Sequence, residues 1–247
     1  MALTDQLISY WKLDESSGNA ADSVGSNTLT NVGTATYGAG KINNGVDLED
    51  SSVQYLTILD ASQSGLDITG DFSVSMWIKL ESQPATDASF SLIDKRKVLT
   101  NGQYTVLYQN PNVAGKEIIN VIWRDSSDNQ TSFVNPDDLG LSTGTFYHIV
   151  VTATVATPTA AMYLNGASQT FNSAGTSATS IGDNDGAFFL GAAIGGAVPF
   201  DGMIDEVGIW SRVLTSGEVT ELYNAGAGNQ YPFGGGASAN HWLLMGV

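Results

Sequence analysis

An all-β chain folded as a two-sheet antiparallel sandwich of jelly-roll type is what this sequence predicts. Three observations carry that expectation. Short segments of alternating apolar and polar residues recur along the chain, clusters of Gly, Asn, Asp and Ser separate them, and only one stretch reads as a helix.

The clearest segment is 71–80, DFSVSMWIKL. Phe72, Val74, Met76, Ile78 and Leu80 share one face, while Ser73, Ser75, Trp77 and Lys79 take the other, the period-2 signature of a strand. Strands of the same kind read at 7–13, 45–48, 53–59, 103–109, 117–124, 145–154, 160–165, 187–194 and 202–210. Asn101-Gly102 and Asn165-Gly166 are hairpin turn signals between them. Asp183-Asn184-Asp185-Gly186 looks like the start of a calcium-binding EF-hand loop, but the twelfth position would be Ile194 where a glutamate is needed, so it reads as a turn. The helix spans 216–225: Thr215 and Glu218 form a capping box, Val219, Leu222 and Tyr223 make an apolar stripe, and Gly226 supplies the stop. One domain, 1–226, is followed by a Gly-rich tail, 227–247.

The chain has 247 residues and a formal charge of −16, from 25 acidic and 9 basic side chains. A domain this long hides roughly 70–75% of its unfolded surface, and 42% apolar residues are enough to fill the core. So acidic a surface repels phosphate backbones, and the densest basic cluster, Lys95-Arg96-Lys97, is too short to steer a polyanion; nucleic acid is excluded as a partner. No apolar run reaches the ~18 residues that span a bilayer, so membrane insertion is not expected. The absence of cysteine removes disulfides, thiol nucleophiles and thiolate metal sites together. The opening MALTDQLISYW has neither a basic nor an apolar leader region, so no signal peptide is read in it, and an extracellular or virion-surface protein is expected on charge.

Five segments occur in an order that resembles a known family: YWKLDESSGNAADSVGSN (10–27), FSVSMWIKL (72–80), FYHIVVTAT (146–154), MYLNG (162–166) and MIDEVGIWSRVLTSGEVTELYNAG (203–226). Together they look like a laminin G-like domain of the concanavalin A-like lectin/glucanase superfamily, over roughly residues 7–226. The resemblance implies a curved jelly roll, often with a bound calcium and often used to hold sugars or other surfaces. It does not fix the ligand, because the fold hosts lectins, adhesion modules and hydrolases.

Strand 202–210, GMIDEVGIW, is apolar on both faces yet carries adjacent carboxylates. A buried carboxylate without a partner costs several kcal/mol, and nine basic side chains offer few partners. A hard cation taking oxygen ligands answers this, and calcium is the expected ion. The resemblance implies that an aspartate on this strand holds a structural calcium together with the N-terminal loop. The candidate ligands are Asp205 with Asp14, Asn19 and Asp22, and Asp47 in addition. The alternative is that Asp205 accepts backbone N–H bonds from that loop and holds no ion. Loops 125–130 and 135–140, with Asp125, Asp128, Asp137 and Asp138, are candidates for a second, sugar-bridging calcium or for ordinary solvated turns.

Catalysis finds little footing. Retaining glycosidases need two carboxylates ~5 Å apart, and sandwich glucanases present them at alternating positions of one strand as E-x-D-x-E or E-x-D-x-x-E. None of the seven glutamates lies in that pattern, and Asp205 and Glu206, being adjacent, should face opposite ways. His148, within FYHIVV, alternates with Phe146 and Val150 and reads as a packed histidine, and His241 lies in the tail. A non-catalytic carbohydrate-binding or adhesion module is therefore expected, with Trp123 and Trp77 as stacking platforms and Asp125 and Asp128 for hydroxyls. The competing expectation is a purely structural virion decoration, fibre or tail subunit. Trp242, Leu243, Leu244 and Met245 form an apolar knob on a flexible tether, which suits homo-oligomer or lattice assembly.

Overall fold

A computed structural model describes residues 1–98, 101–111, 116–183 and 185–234. Sixteen strands form among them. They are β1 (Leu7–Trp11), β2 (Thr30–Val32), β3 (Thr36–Ala39), β4 (Asn44–Leu48), β5 (Tyr55–Ile58), β6 (Phe72–Leu80), β7 (Ala88–Val98) and β8 (Asn101–Asn110). Then follow β9 (Ile118–Arg124), β10 (Gln130–Val134), β11 (Phe146–Thr154), β12 (Thr159–Leu164), β13 (Ala167–Gln169), β14 (Asn172–Thr176), β15 (Phe188–Leu190) and β16 (Gly202–Trp210). One α-helix, α1 (Ser216–Tyr223), comes after β16. The first sheet runs β13-β12-β11-β6-β16-β4-β3, with β1 also paired to β16; the second runs β14-β10-β9-β8-β7-β15-β5-β2. All pairings are antiparallel, and the two sheets face each other as the expected sandwich.

The alternation read in β6 determines which side faces in. Phe72, Val74, Met76, Ile78 and Leu80 belong to the inter-sheet core, beside Tyr104, Val106, Val121 and Trp123 of the opposite sheet. The other face of β6 is also buried from Ser73 to Trp77, because a third layer covers it. Ser73 Oγ donates to the Arg212 carbonyl at 2.7 Å, and Ser75 Oγ lies 2.8 Å from His148 Nε2. Small hydroxyl residues leave room there for α1, whose Val219 and Leu222 pack with Leu3, Val150, Trp210 and Leu214 in a second apolar cluster.

The helix starts as the sequence predicts. Thr215 Oγ1 accepts the Glu218 amide while the Glu218 carboxylate accepts the Thr215 amide, so two otherwise unpaired donors are satisfied. The Gly-rich segment after it is not a free linker, as 227 onward was expected to be. Gln230, Tyr231 and Phe233 return to the first sheet, with Phe233 edge-on to Tyr10 at 5.3 Å and stacked on Trp210 at 6.5 Å. The sandwich therefore continues through Phe233. Trp242, Leu243, Leu244 and Met245, and His241, lie outside the described residues.

Candidate functional site

The outer face of β16 carries a concentration of buried charge. Opposite β6, Asp205 pairs with Trp77 and Gly208 with Ser75, so β16 holds one residue too many: a β-bulge, with Glu206 at φ 53°. Ile204 and Val207 both enter the inter-sheet core, while Asp205 and Glu206 are both withheld from it. The bulge thus overturns the expectation that these carboxylates face opposite ways.

Asp205 is fully buried. Its Oδ2 accepts the amides of Lys41 at 2.7 Å and Ile42 at 3.0 Å, and its Oδ1, also buried, has no hydrogen-bond partner. Glycine at position 40 is what lets the 40–44 turn close over this acid, since a Cβ there would stand 2.7 Å from Asp205 Oδ2 and 2.5 Å from the Asn44 backbone. Glu206 Oε2 accepts the Tyr10 hydroxyl at 2.5 Å, and Oε1 accepts Gln230 Nε2 at 2.6 Å. The same Gln230 nitrogen reaches Asp14 Oδ2 at 2.9 Å, and Asp14 Oδ1 accepts the Asn44 amide at 3.2 Å. Three acids thus converge where β1, the 40–44 turn, β16 and the C-terminal segment meet.

Electrostatics follow from burial. Asp205 is pushed up to about 8, first by desolvation and then by the negative charges of Glu206 and Asp14, against the pull of its two backbone bonds. Glu206 is pushed up to about 7 by burial, with Asp14 adding to it and the Tyr10 and Gln230 bonds opposing. Burial and Glu206 raise the Tyr10 hydroxyl well above its ordinary range.

The expected calcium ligands do not form one set. Asp205 and Asp14 come together, and Glu206, which sequence reasoning left out, joins them. The unpartnered buried Oδ1 of Asp205 suits a hard cation such as calcium, although among the described residues three carboxylates come within 4.8 Å of one another only at Asp47, Glu49 and Glu81. Asp22 is committed elsewhere: Oδ1 accepts the Tyr10 and Val24 amides at 3.1 and 3.0 Å, and Oδ2 the Asn27 amide at 3.1 Å. Asn19 Oδ1 accepts the Asn31 amide at 3.1 Å. Asp47 sits in a separate cluster, with carboxylate oxygens of Asp47, Glu49 and Glu81 within 4.8 Å of one another.

Neither tryptophan offers a sugar platform. Trp123 is fully buried in the inter-sheet core, stacked on Phe133 at 5.7 Å with its indole N–H on the Ala178 carbonyl. Trp77 is 3% exposed beneath the third layer, with Tyr223 stacked at 5.8 Å and the Lys41 ammonium 4.5 Å over its ring. A ring enclosed on both sides presents no face to a ligand. Asp125 is spent on its own turn, accepting the Ser127 and Asn129 amides at 2.9 Å each, and Asp128 pairs with Arg124 at 3.2 Å. His148 is packed against Trp77 at 5.0 Å, and burial pushes it down to about 3, leaving it neutral.

Comparison with known proteins agrees with this architecture. Domain 4 of AbnA, an extracellular arabinanase from Geobacillus stearothermophilus solved in complex with arabinotriose, superposes with a TM-score of 0.61 at 21% identity, over 87% of this chain and 97% of that one. The binding domain of Paraclostridial Mosquitocidal Protein 1 gives 0.67 at 16% identity, over 91% of this chain and 53% of that one. The binding domain of Botulinum Neurotoxin DC in complex with SialylT gives 0.66 at 11%, over 91% and 52%. The chain thus spans about half the length of these toxin binding domains. No curated protein sequence matches it. A laminin G-like family model of the concanavalin A-like lectin/glucanases superfamily matches residues 50–220, well over half the sequence, and the chain belongs to that family.

Proposed function

We propose that this chain is a non-catalytic carbohydrate-binding module of an extracellular or virion surface, with a structural calcium held by Asp205 and Asp14. The observation that carries the reading is a fold match along nearly the whole length of a domain solved with arabinotriose. The acid centre supports binding over hydrolysis. Glycosidase carboxylates must flank a bond inside an open cleft, whereas Asp205 and Glu206 are buried and both Glu206 oxygens are engaged by Tyr10 and Gln230. A calcium ion there would balance charge that the fold leaves uncompensated. Asp205 and Asp14 would hold it, and Gln230 and Tyr10 orient the remaining acid. No helix among the described residues is long and apolar enough to cross a membrane. The test is a broad glycan array probed with the calcium-loaded protein: reproducible binding to a carbohydrate class is expected. A blank array from folded protein would refute the reading and favour a structural subunit.

A further inference from the structure

The two sheets end side by side at one lateral edge of the sandwich. β3 is the last strand of the first sheet and β2 the last of the second, and residues 33–35 join them. Gly33 and Thr34 take φ 79° and 59°, a pair of left-handed residues that turns the chain tightly from one sheet to the other. Across this edge lies loop 16–19, leaving an open groove of about 570 Å³. That falls inside the 300–1,000 Å³ range of small-molecule clefts.

Its walls are held from within. Asn31 Nδ2 donates to the Gly18 and Ala35 carbonyls at 3.1 and 2.8 Å, while its Oδ1 accepts the Ala35 amide at 2.9 Å. The Tyr37 hydroxyl donates to the same Gly18 carbonyl at 3.0 Å. Tyr37 is half-buried, packs against the core and is one of the residues that line the groove. Ser16, Ser17, Asn19, Asn31, Thr36 and Tyr37 are among the residues that line the space, and the lining has no ionisable group except the phenol. Ser16, Ser17 and Thr36 are exposed, and their hydroxyls make no hydrogen bond within the described residues.

That chemistry is specific. A preformed wall freezes few rotamers on binding. A tyrosine flanked by free hydroxyls matches the two sides of a sugar, its CH face and its ring of OH groups. In a protein of net charge −16, a lining without ionised groups also discriminates by charge. Glu15 stands next to the groove with its Oε2 buried and unpartnered, and its negative charge adds to burial in raising the Tyr37 hydroxyl. A carboxylate or sulfate on the ligand would be repelled there, with no cation lining the groove to receive it.

We propose that the groove between loop 16–19, β2 and β3 is the carbohydrate subsite, that Tyr37 is its stacking surface, and that its ligand is a short neutral oligosaccharide. This rests on the carbohydrate-binding reading above. The test uses the full chain with calcium, titrated calorimetrically with arabinotriose, xylotriose, maltotriose, chitotriose, sialyllactose and trigalacturonate. Binding to at least one neutral probe and to neither acidic one is expected. Tyr37→Ala and Ser17→Glu should each weaken it about ten-fold or more. Ser17 is exposed in a loop, so Ser17→Glu should melt with the wild type and keeps the test valid if Tyr37→Ala fails to fold. Undiminished affinity in Ser17→Glu would place the sugar elsewhere and sink the groove while sparing the carbohydrate reading. Preference for an acidic probe would overturn the neutral class, and silence from all six would overturn the groove proposal, while the glycan array decides the carbohydrate reading itself.

Discussion

Asp205 is one residue whose ionisation reports on its whole surroundings. Its folded value of about 8 lies above the ordinary 3.8, so between those values the folded chain holds a proton that the unfolded chain has released. Unfolding then sheds a proton, and metal-free stability falls as pH rises through that window, by up to about 1.4 kcal/mol per pH unit. His148 works the other way, since its folded value of about 3 lies below 6.5 and its contribution is lost as pH falls from there. The clean observable is thus the difference between wild type and Asp205→Asn, in which the histidine cancels. Without metal, Asp205→Asn should gain on the wild type from pH 5 to pH 8. With calcium at a hundred times its Kd the wild type should recover about 2.7 kcal/mol at pH 8, little at pH 5, and Asp205→Asn nothing. An equal calcium gain in both proteins by thermal melting would remove Asp205 from the metal site. The sequence announced this aspartate through its apolar neighbours on both parities, but it hid Glu206. A bulge is a mismatch between two strands, so neither strand shows it alone, and two adjacent acids read as pointing apart until β6 fixes the register.

At the level of elements, legibility tracked the length and charge of each strand. β6, β11 and β16 have nine residues each and buried apolar patterns, and all three were read within a residue or two of their bounds. β2, β3, β13 and β14 are three to five residues long and lie at or beside sheet edges, where half-solvated strands carry little pattern. β10 likewise escaped, its polar QTSFV merging with the preceding turn. β7 was missed for a different reason. Its second half, Asp94-Lys95-Arg96-Lys97, looks like a solvated charge run, yet Asp94 and Lys95 are fully buried. Charge pairing makes this tolerable: Lys95 Nζ lies 2.8 Å from Asp60 and 2.7 Å from Asp67, and Arg96 binds Asp94. Those bonds, with one from Gln103, hold Asp67 below its usual value despite its partial burial. Replacing the ammonium by an apolar tip leaves two acids without their cation. Lys95→Met should cost about 3 kcal/mol in urea unfolding, the low end for breaking a buried pair because both aspartates reach some solvent. A loss below about 0.5 kcal/mol would show the network to be incidental.

Over the whole molecule, the unexpected feature is the third layer. The sequence disclosed α1 through its capping box but presented 226–233 as linker, because glycine and alanine surround the few anchoring rings, Tyr231 and Phe233. That layer meets the N-terminal segment through Arg212. Its guanidinium binds both Glu218 oxygens at 2.9 and 2.6 Å and donates to the carbonyls of Asp5 at 2.7 Å and Ala2 at 3.0 Å. Pair and partner are each 6% exposed, so Arg212→Ala strands a buried carboxylate and should cost about 3–5 kcal/mol by chemical denaturation. Because Glu218 also caps α1, far-ultraviolet circular dichroism should show the helix loosening with it, and an unchanged helix signal would break that link. The geometry of this closure also bears on how the protein would yield to a pull. β1 runs antiparallel to β16 with Leu7 opposite Trp210, so tension applied through residues 6 and 211 would enter the pair at one end. Bonds loaded that way part in succession instead of sharing the load, and the Arg212 clasp sits at the point where tearing would begin.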